Sequence, residues 1–137
     1  MKKNENSIQS KMLTVIVIII LLTFIARDFY IKSEVKKLNK FTIAKFTLKK
    51  NLPKRTSFYF TYILNQEKIV TANAGIHYDI LNSESETKII DDLKINCFYL
   101  AKYDPKHPTI ILVDPLQQVT DTTAILKAGF SREDIEN

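Results

Sequence analysis

Between Met12 and Ala26 the chain reads MLTVIVIIILLTFIA, fifteen residues with no charge and only two hydroxyls, Thr14 and Thr23. This run constrains the fold more than any other feature. A helix made from it has no polar face, so it needs apolar surroundings on every side. Fifteen helical residues rise about 22 Å, short of a hydrocarbon core of roughly 30 Å. Phe29, Tyr30 and Ile31 lengthen the run into a transmembrane span over 12–31, with Arg27 and Asp28 at the interface. Arg27 can snorkel from there, and tyrosine is at home at that depth.

Two rivals fit less well. Lys2, Lys3 and Lys11 could form the basic start of a cleaved signal peptide, but Phe24 stands two residues before Ala26, where a small residue is wanted. A buried core helix is the other rival, but an isoleucine-rich run with no polar face suits lipid better than the core of a small soluble domain. The sequence therefore predicts an uncleaved anchor after a tail over 1–11. Its orientation stays open. Arg27, Lys32, Lys36, Lys37, Lys40 and Lys45 outnumber the three lysines before the span, which favours a cytoplasmic C-terminal side. A short charged N-terminal tail is commonly retained in the cytoplasm, which favours the opposite.

The chain beyond the span suffices for one domain and not two. Apolar residues make up 45% of the chain, which argues against disorder. Only Gly75 and Gly129 are glycine, which argues against a fold or site built on glycine-rich turns. Cys97 is the sole cysteine and reads as a buried strand residue. As a nucleophile it would lack a histidine nearby in sequence.

Charge divides the chain. Residues 27–55 carry a net +8 and residues 56–137 a net −5. The basic part adjoins the span, where anionic headgroups attract each Lys or Arg by about 1 kcal/mol. Arg27, Lys32, Lys36, Lys37 and Lys40 are thus candidate lipid contacts; a solvated, topology-setting face is the plainer reading. Nucleic-acid binding has little behind it, since Phe41 and Phe46 belong to no recognised module. A juxtamembrane helix over 32–40 is predicted from Ile31, Val35 and Leu38, which share one face at i, i+4 and i+7. That stripe can pack on the domain or pair with a second copy.

From Phe41 the pattern becomes strand-like. Strands are expected over 41–49, 57–65, 69–72, 94–103 and 109–113, separated by turns at Lys50–Pro53, Asn65–Lys68 and Asp104–Pro108. The last strand should stop at Asp114–Pro115, because proline interrupts a ladder. Asn73–Asp92 reads as a long polar loop with one short element. A helix is expected over 123–128, capped by Asp121 or Thr122 and closed by Gly129, then a short turn from Ser131 to Asp134. The fold class is therefore α+β: an N-terminal transmembrane helix, then a small, mainly antiparallel β domain over 41–137 with a C-terminal helix.

Chemistry-bearing residues are few. His77 and Asp79 could begin a metal or acid–base site, but no second histidine lies at ligand spacing. His107 reads as an exposed turn residue, and the adjacent Asp91 and Asp92 diverge rather than form a dyad. Tyr59, Tyr62, Tyr99 and Tyr103 could line a shallow binding surface, though aromatic strand residues more often form core. The sequence implies no cofactor and no metal.

The closing strands carry an alternating apolar stretch, Phe98 to Lys102, then Tyr103-x-Pro105-x-x-Pro108. This resembles a pattern in small single-span bacterial membrane proteins of unknown function, which share the plan of an apolar span followed by a short β domain. The resemblance covers about a dozen residues and the layout. It implies a bacterial membrane protein and transfers no activity. The leading expectation is a non-enzymatic, membrane-tethered binding or interaction module. Its partners would be membrane lipid, a membrane or envelope protein, or a second copy, and not nucleic acid. The alternatives are a structural or assembly subunit of a membrane complex and an enzyme with a site near His77 and Asp79.

Overall fold

The computed structural model describes residues 2–137, with side chains from residue 6 onward. One helix, α1 (Lys2–Lys37), runs from the tail through the apolar run into the start of the basic stretch without a break. At about 1.5 Å per residue it is roughly 54 Å long. It is long and apolar enough to cross a membrane, and its most apolar 18-residue window is not covered by the rest of the chain. The two hydroxyls of the Met12–Ala26 run bond back to the helix: Thr14 and Thr23 donate to the carbonyls of Ser10 and Ile19. The helix ends at Lys37 rather than Lys40. The three residues 38–40 lead straight into the sheet, whose first hydrogen bonds draw the backbone out of helical geometry.

The domain is a five-stranded antiparallel sheet of β1 (Phe41–Leu52), β2 (Arg55–Leu64), β3 (Glu67–Ala72), β4 (Phe98–Tyr103) and β5 (Ile111–Val119), in the order β3-β2-β1-β4-β5. Several boundaries differ from the sequence reading; among them, β2 starts at Arg55 rather than 57 and β5 at Ile111 rather than 109. β1 runs through Lys50–Leu52, because pairing with β2 continues to Leu52↔Arg55 and the turn shrinks to Pro53-Lys54. The Asn65–Lys68 turn likewise shrinks to Asn65-Gln66, both at positive φ, a geometry that suits the twist of a tight hairpin. β4 begins at Phe98 instead of Lys94, since Asn96 adopts φ +67° and turns the chain there. β5 passes through Asp114-Pro115 instead of stopping. It is an edge strand, and a wide bulge sets Leu100 of β4 against residues 114–117. Proline is tolerated at such a place because no ladder hydrogen bond is asked of it. The Asp114 carboxylate holds the bulge by accepting from Leu116 N and Gln117 Nε2, each at 3.0 Å.

One sheet face carries the main core. Phe46, Phe58, Phe60 and Tyr62 are buried there, with Tyr99, Ala101, Ile111 and Val113. The Phe46 and Phe60 rings stack at 5.1 Å. A bulge between Phe46 and Leu48 changes the alternation, exposing Leu48 and pairing Lys49 with Phe58. Ala74 and Ile76, from the segment after β3, and Ile90, from α2 (Glu84–Asp91), close this core. Helix α2 is the short element expected in the polar loop. Its start is a capping box between Ser83 and Glu86.

Asn73, Ala74 and Gly75 all have positive φ. That sharp corner brings Ala74 C=O to Val113 N at 2.9 Å. The sheet is curled enough that the chain leaving edge strand β3 reaches the other edge strand, β5.

The opposite face is covered from the C-terminus by α3 (Thr122–Lys127) and α4 (Arg132–Glu136), with Asp121 and Ser131 as N-caps. Ile125 and Phe130 bury Ile43 and Phe98. Phe98 and Phe130 meet edge-on at 5.0 Å. Lys45, itself buried, donates to the Asp134 carbonyl at 2.6 Å and lies 5.7 Å from the centre of the Phe98 ring.

Candidate functional site

The expected juxtamembrane stripe settles onto the domain. Ile31 is 5% exposed and Val35 is fully buried, and the last turns of α1 lie against β4 and β5. Lys102 Nζ adds a hydrogen bond to the Lys36 carbonyl at 3.1 Å, satisfying one of the free acceptors at the helix end. Burying Ile31 and Val35 is worth about 2 kcal/mol each. The apolar span and the domain therefore meet at a packed joint.

Helical spacing decides where the basic residues go. With Ile31 and Val35 facing the domain, Arg27, Lys32, Lys36, Lys37 and Lys40 are all exposed. Lys37 lies 3.8 Å from Glu34. Arg27, Lys32, Lys36 and Lys40 have no ion-pair partner among the described residues. Lys32 and Lys36 stand one turn apart on one side of the helix and border a groove of about 500 Å³. Phe29 and Ser33 complete its helical wall, and Gly75, Leu112 and Val113 form the opposite one. No carboxylate lines it. A second groove, on the other side of Lys36, includes Asp114, whose carboxylate is already engaged in the β5 bulge.

The structure does not bring His77 and Asp79 into a pair. His77 borders a smaller groove of about 260 Å³ with Asn82, Glu86 and Asp114. The Asp79 carboxylate accepts from Leu81 N at 3.1 Å and takes no part in that groove. Among the described residues no group of acidic, histidine or cysteine side chains could hold a metal ion. Asp91 accepts from the Tyr78 hydroxyl, which in turn accepts from Lys49 Nζ at 3.0 Å; this chain ties the loop to β1. Cys97 is half-buried against the core.

The tyrosines do not make a common surface. Tyr62 and Tyr99 are core residues and Tyr103 is half-buried beside them. Burial, with a smaller contribution from nearby Tyr103, pushes the Tyr62 phenol up to about 12. Burial also raises Tyr99, against the lowering effect of the bond that its hydroxyl accepts from Lys94 N. The Tyr103-x-Pro105-x-x-Pro108 segment is a structural corner. Tyr62 Oη donates to the Pro108 carbonyl at 2.5 Å, and the buried Asp104 accepts from Lys106 N at 3.0 Å.

Sequence reasoning missed Leu112 and Val113 as one wall of the groove beside Lys32 and Lys36, and Lys102 as a contact to the helix end. They come next to α1 only through the β4–β5 pairing, which no local pattern encodes. Comparison of the chain with protein-family models, with curated proteins and with solved structures finds no match.

Proposed function

We propose that this chain is a non-enzymatic, membrane-tethered interaction module. Its long helix crosses the bilayer once, and its β domain is held beside the membrane surface to meet a membrane or envelope protein. The observation that carries this reading is the joint at Ile31 and Val35. An anchor joined to its domain by a loose linker serves as a leash. A helix that continues from the apolar span into the domain's packing sets the domain's distance and orientation. Only about one helical turn separates Ile31, at the end of the span, from the docked Val35. The likeness of the Tyr103–Pro108 corner to single-span bacterial membrane proteins supports a bacterial envelope setting.

The span itself is poorly equipped to assemble a complex. Its threonine hydroxyls bond back to their own helix, and it holds no glycine for close helix approach. This favours the domain over the span as the part that meets a partner. An enzymatic reading around His77 and Asp79 has no pairing of those side chains behind it.

Crosslinking in native membranes tests the proposal. A photoreactive residue at Ile80, which is fully exposed at the tip of a domain loop, should give a discrete adduct with a second protein. The same probe at Ile18 in the span should not. Adducts at Ile18 alone would favour the assembly-subunit reading. A purely monomeric pattern from both positions would remove the interaction module.

A further inference from the structure

Lys32 and Lys36 hold like charges one turn apart, about 5–6 Å between Cβ atoms, a spacing at which ammonium groups repel. Neither has an acidic partner among the described residues, and no carboxylate lines the groove they border. Opposite them the wall is apolar, made by Leu112 and Val113. At the membrane-side end stands Phe29, which is 78% exposed and directly follows the interfacial Arg27 and Asp28. Two cations, an apolar wall and a mouth at the bilayer interface are complementary to a molecule with an anionic head and an apolar tail.

Resting on the membrane-tethered reading, we propose that this groove binds one anionic phospholipid of the surrounding bilayer. The lipid phosphate sits between Lys32 and Lys36, within reach of the Ser33 hydroxyl. The upper acyl chain lies along Leu112 and Val113 and returns to the bilayer past Phe29. Arg27 and Lys40 are outside the groove lining and contribute only diffuse attraction.

The chain contains no tryptophan, so Phe29→Trp supplies a single fluorescent reporter at the groove mouth. The full-length protein carrying it is placed in phosphatidylcholine nanodiscs containing brominated phosphatidylglycerol or, in parallel, brominated phosphatidylcholine at the same content. Two lysines near a headgroup predict about a thirtyfold preference for quenching by the anionic lipid. Lys32→Gln/Lys36→Gln should abolish that preference, and Arg27→Gln/Lys40→Gln should keep most of it. Equal loss in the two double variants would replace the groove with a diffuse basic belt and overturn the proposal. No preference in the parent protein would also overturn it, as expected if an acidic protein segment were the true occupant. Carbonate extraction of the native chain from membranes separates the two levels of the argument. Release into the soluble fraction removes the tethered reading and this one together. Retention without lipid preference removes this one alone.

Discussion

The joint between helix and domain can be loosened in steps by substitution at Val35. Full burial of Ile31 and Val35 is worth about 4–5 kcal/mol as an upper figure, because the undocked state still covers some of that surface. Val35→Ala deletes two methyl groups, and transfer plus residual cavity cost about 2 kcal/mol. The open population of the joint should therefore rise about thirtyfold. Cleavage after Lys37 by a lysine-specific protease, with the protein in micelles, reads that population when reclosing is faster than cutting. Val35→Asp should leave the joint fully open. Placing a carboxylate there costs several kcal/mol, comparable to everything the joint supplies. Neither Ile31 nor Val35 belongs to the two core clusters, so the sheet should keep its aromatic near-ultraviolet signal in both variants. Unchanged cleavage in Val35→Ala would refute the joint. Melting of the sheet in Val35→Asp would show that the helix end is part of the core and cannot detach from it.

Three other expectations concern the domain. Gly129 has φ +104°, and a Cβ there would stand 2.7 Å from Ile63 Cγ2, so Gly129→Ala should cost about 2–3 kcal/mol in urea unfolding. Asp134 is held at about 2, below its usual 3.8, chiefly by the Lys68 ammonium at 2.7 Å and by hydrogen bonds from Ser131. Its contribution to stability is thus present above pH 3.8 and lost as pH falls toward 2. Asp134→Asn should be less stable at neutral pH, show a flatter acid limb, and converge with the parent near pH 2, as followed by thermal melts. Tyr62→Phe leaves the Pro108 carbonyl without its donor and should cost about 1–2 kcal/mol. It should also remove a late step from the alkaline tyrosine absorbance titration, since Tyr62 titrates at about 12.

Local signals in the sequence are legible where one residue type decides the geometry. Ser131 caps α4 by accepting from Asp134 N, and Gly129 takes the positive φ that ends α3. The helical stripe of Ile31, Val35 and Leu38 is visible in the sequence, but whether it meets the domain or a second copy is not. That choice depends on where β4 and β5 lie, and their pairing joins residues far apart in sequence. The same limit explains the strand ends. Pro53 and Pro115 look alike as breakers, yet one sits in a hairpin turn and the other inside an edge-strand bulge. Alternation also fails at Ile95, which continues the pattern of Cys97 and Tyr99 but is exposed, because Asn96 turns the backbone. Of the five candidate lipid contacts, the sequence ranks none above another. Lys32 and Lys36 stand out only once Leu112 and Val113 are placed across from them.

The short connection over residues 38–40 sharpens the case for a rigid joint. With Val35 unpacked, three free residues would let the domain pivot over a wide cone about the helix end. A partner would then have to fix that motion as it bound, at an entropic cost drawn from its affinity. With Val35 packed, the orientation is set before any encounter, and the ordering has been met within the chain. The polar rim supports this. Lys102 reaches the helix end through the Lys36 carbonyl, so the hydrogen bond forms only when the helix is seated. A lipid between Lys32 and Lys36 would relieve the repulsion between them and touch Leu112 on the domain side at the same time. It would therefore bind the seated joint more tightly than the open one and shift the joint toward the seated state. Anionic lipid should accordingly slow cleavage after Lys37 in Val35→Ala more than in the Lys32→Gln/Lys36→Gln/Val35→Ala variant, which ties the orientation of the domain to the composition of the membrane beneath it.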